Sequence, residues 1–187
     1  YNGGTWEEKT KSDAIDIKIP NSVYRIDNRI PVRDGYEFLG WSIKKDVSEG
    51  ETLLKVNDGI QVDTLAEETN YLYAQWRKLK EVTFTVEKLV DGNMGDHNKE
   101  FEFTYSIWKG NEKLSEGTFK LSDGNENSIP NITEGCTVEI QEILVTGYTT
   151  TINASVTNEN ESDETGKFSY TVAKNSEENI TVQYTNS

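Results

Sequence analysis

Cysteine, histidine and methionine each occur once in these 187 residues, and proline three times. A single cysteine, Cys136, excludes an intrachain disulfide. A single histidine, His97 in a polar turn, excludes a multi-histidine metal site or a Ser-His-Asp triad elsewhere. No Gly-rich phosphate loop can be assembled. No apolar run approaches the length that spans a bilayer, and no leader-like segment is present. From its abrupt start at Tyr1, the chain is read as a piece of a longer protein. Basic residues are scarce too: 19 Lys and Arg face 33 Asp and Glu, for a formal charge of −14. Nucleic acid and anionic lipid both require a basic face, so neither is expected as a partner. No cofactor or metal is expected either. Asp91-Gly92-Asn93-Met94-Gly95-Asp96 carries its glycines at the wrong positions for an EF-hand and reads as a hairpin turn. The sequons at Asn131, Asn153, Asn160 and Asn179 read as chance matches in an Asn-, Ser- and Thr-rich chain. Few cysteines with abundant Thr and Asn fit a bacterial surface protein.

What is present is β-forming sequence rich in Thr, Val, Ile and Tyr. The chain is organised around Val82–Val90. Val82, Phe84, Val86 and Val90 alternate with Thr83, Thr85 and Glu87, the period of a half-buried strand. Lys88 shares the parity of the apolar set and therefore points inward, where a lone ammonium must neutralise or find partners. Two later strands supply candidates. Cys136, Val138 and Ile140 run into Glu142, and Ile180, Val182 and Tyr184 run into Asn186. Three apolar stripes thus each run into one polar group: an amine, a carboxyl and a carboxamide.

Residues 1–77 are punctuated by turns at Asn2-Gly3-Gly4, Asp34-Gly35, Ser48-Glu49-Gly50 and Asn57-Asp58-Gly59. Strands are predicted at Ala14–Ile19, Tyr36–Ser42, Thr52–Val56 and Tyr71–Trp76, with a helical turn over Asp63–Thr69. Tyr36, Phe38, Trp41, Tyr73 and Trp76 read as the core of a small domain short of aliphatics, with a sugar-binding platform as the alternative. Three blocks carry a resemblance: Tyr1–Thr5, Pro31–Trp41 and Tyr71–Trp76. In that order they are similar to the internalin B-repeat, or Listeria–Bacteroides repeat, family. The resemblance implies a small β-grasp-like spacer module on bacterial surface proteins.

Arg77-Lys78-Leu79-Lys80 is a short basic connector, with the linker set at 78–80, so the flanking domains are expected to stack end to end. Residues 81–187 then give strands at Glu100–Ile107, Gly117–Leu121, Asn127–Ile132, Cys136–Glu142, Tyr148–Val156, Lys167–Ala173 and Asn179–Asn186. Together with Val82–Val90 they read as an immunoglobulin-like sandwich. Asn158–Gly166 is acidic, without an apolar residue, and is expected to be a solvated loop. Val86–Asn93 with Lys99–Phe103, then Thr137–Glu142 with Gly147–Thr150, then Val182–Asn186 resemble, in order, Gram-positive pilin domains of the streptococcal major-pilin, CnaB-like type. That resemblance implies a self-formed isopeptide bond between Lys88 as nucleophile and Asn186 as electrophile, with Glu142 as the catalytic acid. A buried Lys88–Glu142 ion pair capped by Asn186 is the non-covalent alternative.

The expected fold class is therefore mainly β: a β-grasp-like module followed by a CnaB-type sandwich. The expected role is a structural stalk of a Gram-positive, wall-anchored or pilus-like surface adhesin, non-enzymatic apart from one self-processing event. Its partners are neighbouring domains of the same protein, and a monomer is expected. A directly adhesive module that binds host glycan or protein is the first alternative. A glycoside-processing enzyme is the weakest, since no acid takes an inward position beside another.

Overall fold

The structure, a computed structural model, describes residues 4–6, 23–26, 28–61, 71–156 and 163–187. The chain divides into two compact units, Tyr1–Leu79 and Lys80–Ser187. Among the described residues the secondary structure is β throughout, apart from a single 3-10 turn at Asp163–Thr165.

In the first unit, β1 (Thr5–Trp6) pairs with β3 (Pro31–Val32), β2 (Val23–Arg25) with β5 (Gly59–Gln61), and β4 (Tyr36–Ser42) with β6 (Tyr73–Lys78), all antiparallel. The core gathers around Ile26, Trp41 and Ala74, with Phe38, Leu54, Ile60 and Trp76 packed against it. Phe38 meets Trp41 and Trp76 edge-on at centroid distances of 5.3 and 5.5 Å. Three of the five sequence-marked aromatics thus serve as core, as expected where aliphatics are few. Tyr36 instead lies under the Arg33 guanidinium at 3.7 Å, and Tyr73 lies beside the exposed Tyr71.

Two expectations for this unit are corrected. Thr52–Val56 is not a strand: Leu54 alone pairs, exchanging both backbone hydrogen bonds with Trp41. Beyond it the Asp58 carboxylate captures the Lys55 amide and Asn57 turns at a φ of 70°, so the ladder cannot continue. Arg77 and Lys78 belong to β6 rather than to the connector. Arg77 grips Glu37 across the ladder through Nε and Nη2, at 2.8 and 2.6 Å, which extends the pairing to the end of the strand. The Ala14–Ile19 strand and the Asp63–Thr69 turn lie outside the described residues.

The second unit is a sandwich of two four-stranded sheets. Its strands are β7 (Glu81–Val90), β8 (Phe101–Lys109), β9 (Glu112–Leu121), β10 (Glu126–Thr133), β11 (Cys136–Glu142), β12 (Thr150–Ala154), β13 (Lys167–Thr171) and β14 (Ile180–Asn186). One sheet runs β10-β7-β14-β12 and the other β13-β11-β8-β9. Alternate residues face inward, so that Phe84, Val86, Phe101, Phe103, Val138, Ile140, Phe168, Val182 and Tyr184 are fully buried. Each apolar side chain of this size contributes about 1.5–3 kcal/mol when removed from water. The first and last strands, β7 and β14, lie side by side and parallel, whereas every other pair in the unit is antiparallel. Parallel pairing of this kind needs a long crossover, and here the whole domain provides it.

Asp91–Asp96 is not a hairpin turn. Both edges of β7 are already occupied by β10 and β14, so the chain leaves one sheet and enters the other at β8. Within Asn158–Gly166, Asp163–Thr165 forms the 3-10 turn; residues 157–162 lie outside the description.

Candidate functional site

The parallel register sets Lys88 opposite Tyr184 and Val90 opposite Asn186. Asn186 therefore lies one diagonal beyond the direct neighbour of Lys88, about 7–8 Å away along the sheet. A lysine stem bridges that gap if it lies along the sheet instead of crossing the core. Glu142 comes from the facing sheet, where its amide donates to Gly166 O at 2.9 Å and the next amide, Ile143 N, donates to Glu102 O at 2.8 Å. These two bonds fix the last residue of β11, and its side chain projects between the sheets.

The structure brings all three sequence-marked groups together, each 0% exposed. Lys88 Nζ stands 3.3 Å from Glu142 Oε1. The same oxygen accepts a 2.7 Å hydrogen bond from Asn186 Nδ2. The amine also donates to Tyr184 O at 3.4 Å and lies 4.4 Å from the centroid of the Phe101 ring. One carboxyl oxygen thus touches both the amine and the carboxamide. Glu142 Oε2 and Asn186 Oδ1 are buried with no hydrogen-bond partner among the described residues.

Burial dominates the electrostatics. Desolvation pushes Lys88 below its usual lysine range, against the opposing pull of the Glu142 charge and, more weakly, of Asp123. Desolvation likewise pushes Glu142 above the usual carboxyl range, opposed by Lys88 and by the Asn186 hydrogen bond. Both shifts favour uncharged forms, and one proton moved from ammonium to carboxylate satisfies both. A neutral Glu142 has an O–H to donate. With the Asn186 amide turned over, its carbonyl oxygen takes the place of Nδ2 and accepts that bond. The arrangement can therefore present an uncharged amine to a polarised carboxamide.

Residues beyond the three sequence-marked groups complete the site. Phe101 forms the wall beside the amine, and Tyr148 braces it edge-on at 5.3 Å. Tyr184 contributes its backbone carbonyl to Lys88, while its hydroxyl donates to Ile140 O in the facing sheet at 3.1 Å. Asp123 reaches β7 from the β9–β10 turn, accepting from Val90 N at 2.7 Å. Its only trace in the sequence is a Ser-Asp-Gly-Asn turn signal, and nothing there ties that turn to Lys88.

Among solved structures the chain is similar to bacterial surface proteins. An adhesin from Mobiluncus mulieris that contains intramolecular disulfide, isopeptide and ester bond cross-links matches at a TM-score of 0.50 and 21% identity, over 74% of this chain and 54% of its own. The major pilin from Streptococcus pyogenes matches at 0.42 and 18%, over 93% of this chain and 66% of its own. The pilus-presented adhesin Spy0125 (Cpa) matches at 0.46 and 17%, over 60% of this chain. The chain spans only 30% of that adhesin's length. At these identities the likeness is one of fold. No curated protein sequence matches the chain. Residues 84–187, more than half of the chain, match the family described as Domain of unknown function (DUF5979), and the chain belongs to that family.

Proposed function

We propose that the second unit is a load-bearing stalk domain of a Gram-positive surface protein, locked by a self-formed isopeptide bond between Lys88 and Asn186. The observation that carries this reading is the meeting of an amine, a carboxyl and a carboxamide, each 0% exposed, around the single oxygen Glu142 Oε1. A set of isolated buried charges is costly, and an ion pair recovers that cost only with full hydrogen bonding. Two unpartnered buried oxygens at this site leave the ion-pair alternative short of that condition.

In the proposed reaction Glu142, protonated, donates to the Asn186 side-chain carbonyl and polarises it. The Lys88 nitrogen attacks Cγ and a tetrahedral species forms. Glu142 accepts the proton shed by the attacking nitrogen and delivers one to the departing nitrogen. The new Nζ–Cγ bond replaces the Cγ–Nδ2 bond, ammonia leaves, and Glu142 is regenerated. Amides are poor electrophiles, so fixed placement supplies much of the acceleration; intramolecular positioning can contribute about 7–11 kcal/mol. Each molecule reacts once.

Mechanically, the bond would join the first strand to the last. Tension entering at Glu81 would run along β7 to Lys88, cross to Asn186 and leave at Ser187, bypassing residues 89–185. The first unit, whose B-repeat resemblance rests on sequence, would act as a spacer. The likeness to the Mobiluncus mulieris adhesin supports a surface role. Neighbouring domains of the same chain would be the partners.

The intact mass of the purified protein tests the reading. The expected mass is one ammonia below the sequence value, with the full mass retained in Lys88→Ala and Glu142→Ala after correction for the substitution. A wild-type chain at full sequence mass would leave the ion pair in place of the bond.

A further inference from the structure

The end of β7 is held in an unusual way. Along its β10 edge, regular pairing stops at Glu87, which faces Glu126. Past that point the turn before β10 takes over. Lys88 N donates to Asn125 O at 3.0 Å, and Gly124 N donates to Lys88 O at 2.9 Å. The next amide on that edge is Val90 N, and no strand residue reaches it. Asp123 Oδ1 accepts its hydrogen bond instead, at 2.7 Å. The other carboxylate oxygen, Oδ2, lies 2.7 Å from His97 Nδ1, on the loop that leaves β7. One side chain thus fastens the strand end, the β9–β10 turn and the outgoing loop.

We propose that Asp123 is a positioning residue for the Lys88–Asn186 crosslinking reaction, acting through the Val90 amide to hold the last turn of the β7 ladder in register with β14. The proposal rests on the crosslinking reading above. Its physical basis is the diagonal geometry. Lys88 must lie along the sheet to reach Asn186, which pairs with Val90, so any fraying of β7 after Lys88 moves the two reactants apart. A displacement of about 1 Å in a reacting pair can cost about 100-fold in rate. The carboxylate also acts in the opposite sense. Its charge favours the ammonium form of Lys88, which cannot attack. Grip and charge therefore pull the rate in opposite directions, and they can be separated: asparagine at 123 keeps an acceptor for Val90 N–H and removes the charge.

The test uses the full chain made by cell-free synthesis, with intact mass followed over time for loss of ammonia. Asp123→Ala is expected to slow crosslinking about 10- to 100-fold, and Asp123→Asn to restore at least the wild-type rate. Such rescue distinguishes positioning at one amide from general damage. An alanine variant as fast as wild type, or an asparagine variant as slow as alanine, overturns the proposal. If Asp123→Ala does not fold by circular dichroism, His97→Ala takes its place. His97 is 56% exposed at its side chain and lies on the loop between β7 and β8, so its loss loosens Asp123 without removing a strand residue. That variant is expected to be measurably slower, and wild-type speed there refutes the idea. A wild-type chain that keeps its full mass overturns the crosslinking reading itself, and this proposal with it. Ammonia loss in wild type beside an equally fast Asp123→Ala overturns this proposal alone.

Discussion

Pulling the chain by its two ends separates a bonded sandwich from an unbonded one by length. With Lys88 joined to Asn186, the covalent path through the second unit runs from Glu81 to Lys88 and then from Asn186 to Ser187. Residues 81–88 already form an extended strand, so freeing them adds little to the roughly 30 Å they span at about 3.3–3.6 Å per residue. Without the bond, all of residues 81–187 can be drawn out, to roughly 360 Å by the same measure. Subtracting the folded span leaves a gain of roughly 330 Å, against almost none for the locked domain. Glu142→Ala is the perturbation, because it leaves both bonding residues in place and removes only the acid. In single-molecule force spectroscopy the wild type is expected to show no extension step from the second unit, while Glu142→Ala gains one of roughly 330 Å. Wild-type traces that contain the same long step as the variant would refute the load path. So would a Glu142→Ala chain that shows the ammonia-depleted mass and resists extension like the wild type, since the acid would then be dispensable.

Three further outcomes are expected. By analogy with a disulfide closing a loop of about 100 residues, the Lys88–Asn186 link should penalise the unfolded state by roughly 4–5 kcal/mol. Calorimetry on the near-isosteric Glu142→Gln should show a loss of at least that size in the second unit, and a loss under about 1 kcal/mol would contradict it. The initial crosslinking rate should be bell-shaped in pH. Burial lowers Lys88 and raises Glu142, so the reactive pair holds one proton, on the acid. Falling pH adds a second proton, making ammonium, and rising pH removes the last, making carboxylate, so the rate is lost on both sides. A rate that climbs steadily to the ordinary lysine pKa would point to an exposed, unperturbed amine. In the first unit, Gly40 sits in the β4 bulge at a φ of 146°, where an added Cβ would lie 2.9 Å from Leu54 O. Gly40→Ala should cost about 1–3 kcal/mol in that unit's thermal transition, and an unshifted transition would show that the bulge relaxes freely.

The pattern of the second unit was legible because its strands are half-buried. Where one face meets the core, period two marks every inward residue, polar ones included. Lys88, Glu142 and Asn186 could therefore be placed on inward faces before any pairing was known. The first unit was less legible. Its strands are short and its core is a few aromatics, so Thr52–Val56 read as a strand although Leu54 alone pairs with Trp41. The Asp91–Asp96 turn chemistry was read correctly as a turn and wrongly as a hairpin, because local sequence does not record which strand edges are already occupied.

The sequence alone determined that three inward stripes run into an amine, an acid and an amide near their C-terminal ends, and that each strand would bury that polar residue. Parity is a property of one strand, set by the pleat, so it needs no partner. Tertiary structure alone decided that these ends meet. The parallel β7–β14 register sets Asn186 one diagonal from Lys88, and the stacking of the second sheet brings Glu142 Oε1 within 3.3 Å of the amine. Register and sheet packing are relations between segments distant in the chain, and so is the reach of Asp123 to Val90 N. A single strand carries no information about which neighbour will lie beside it or at what offset.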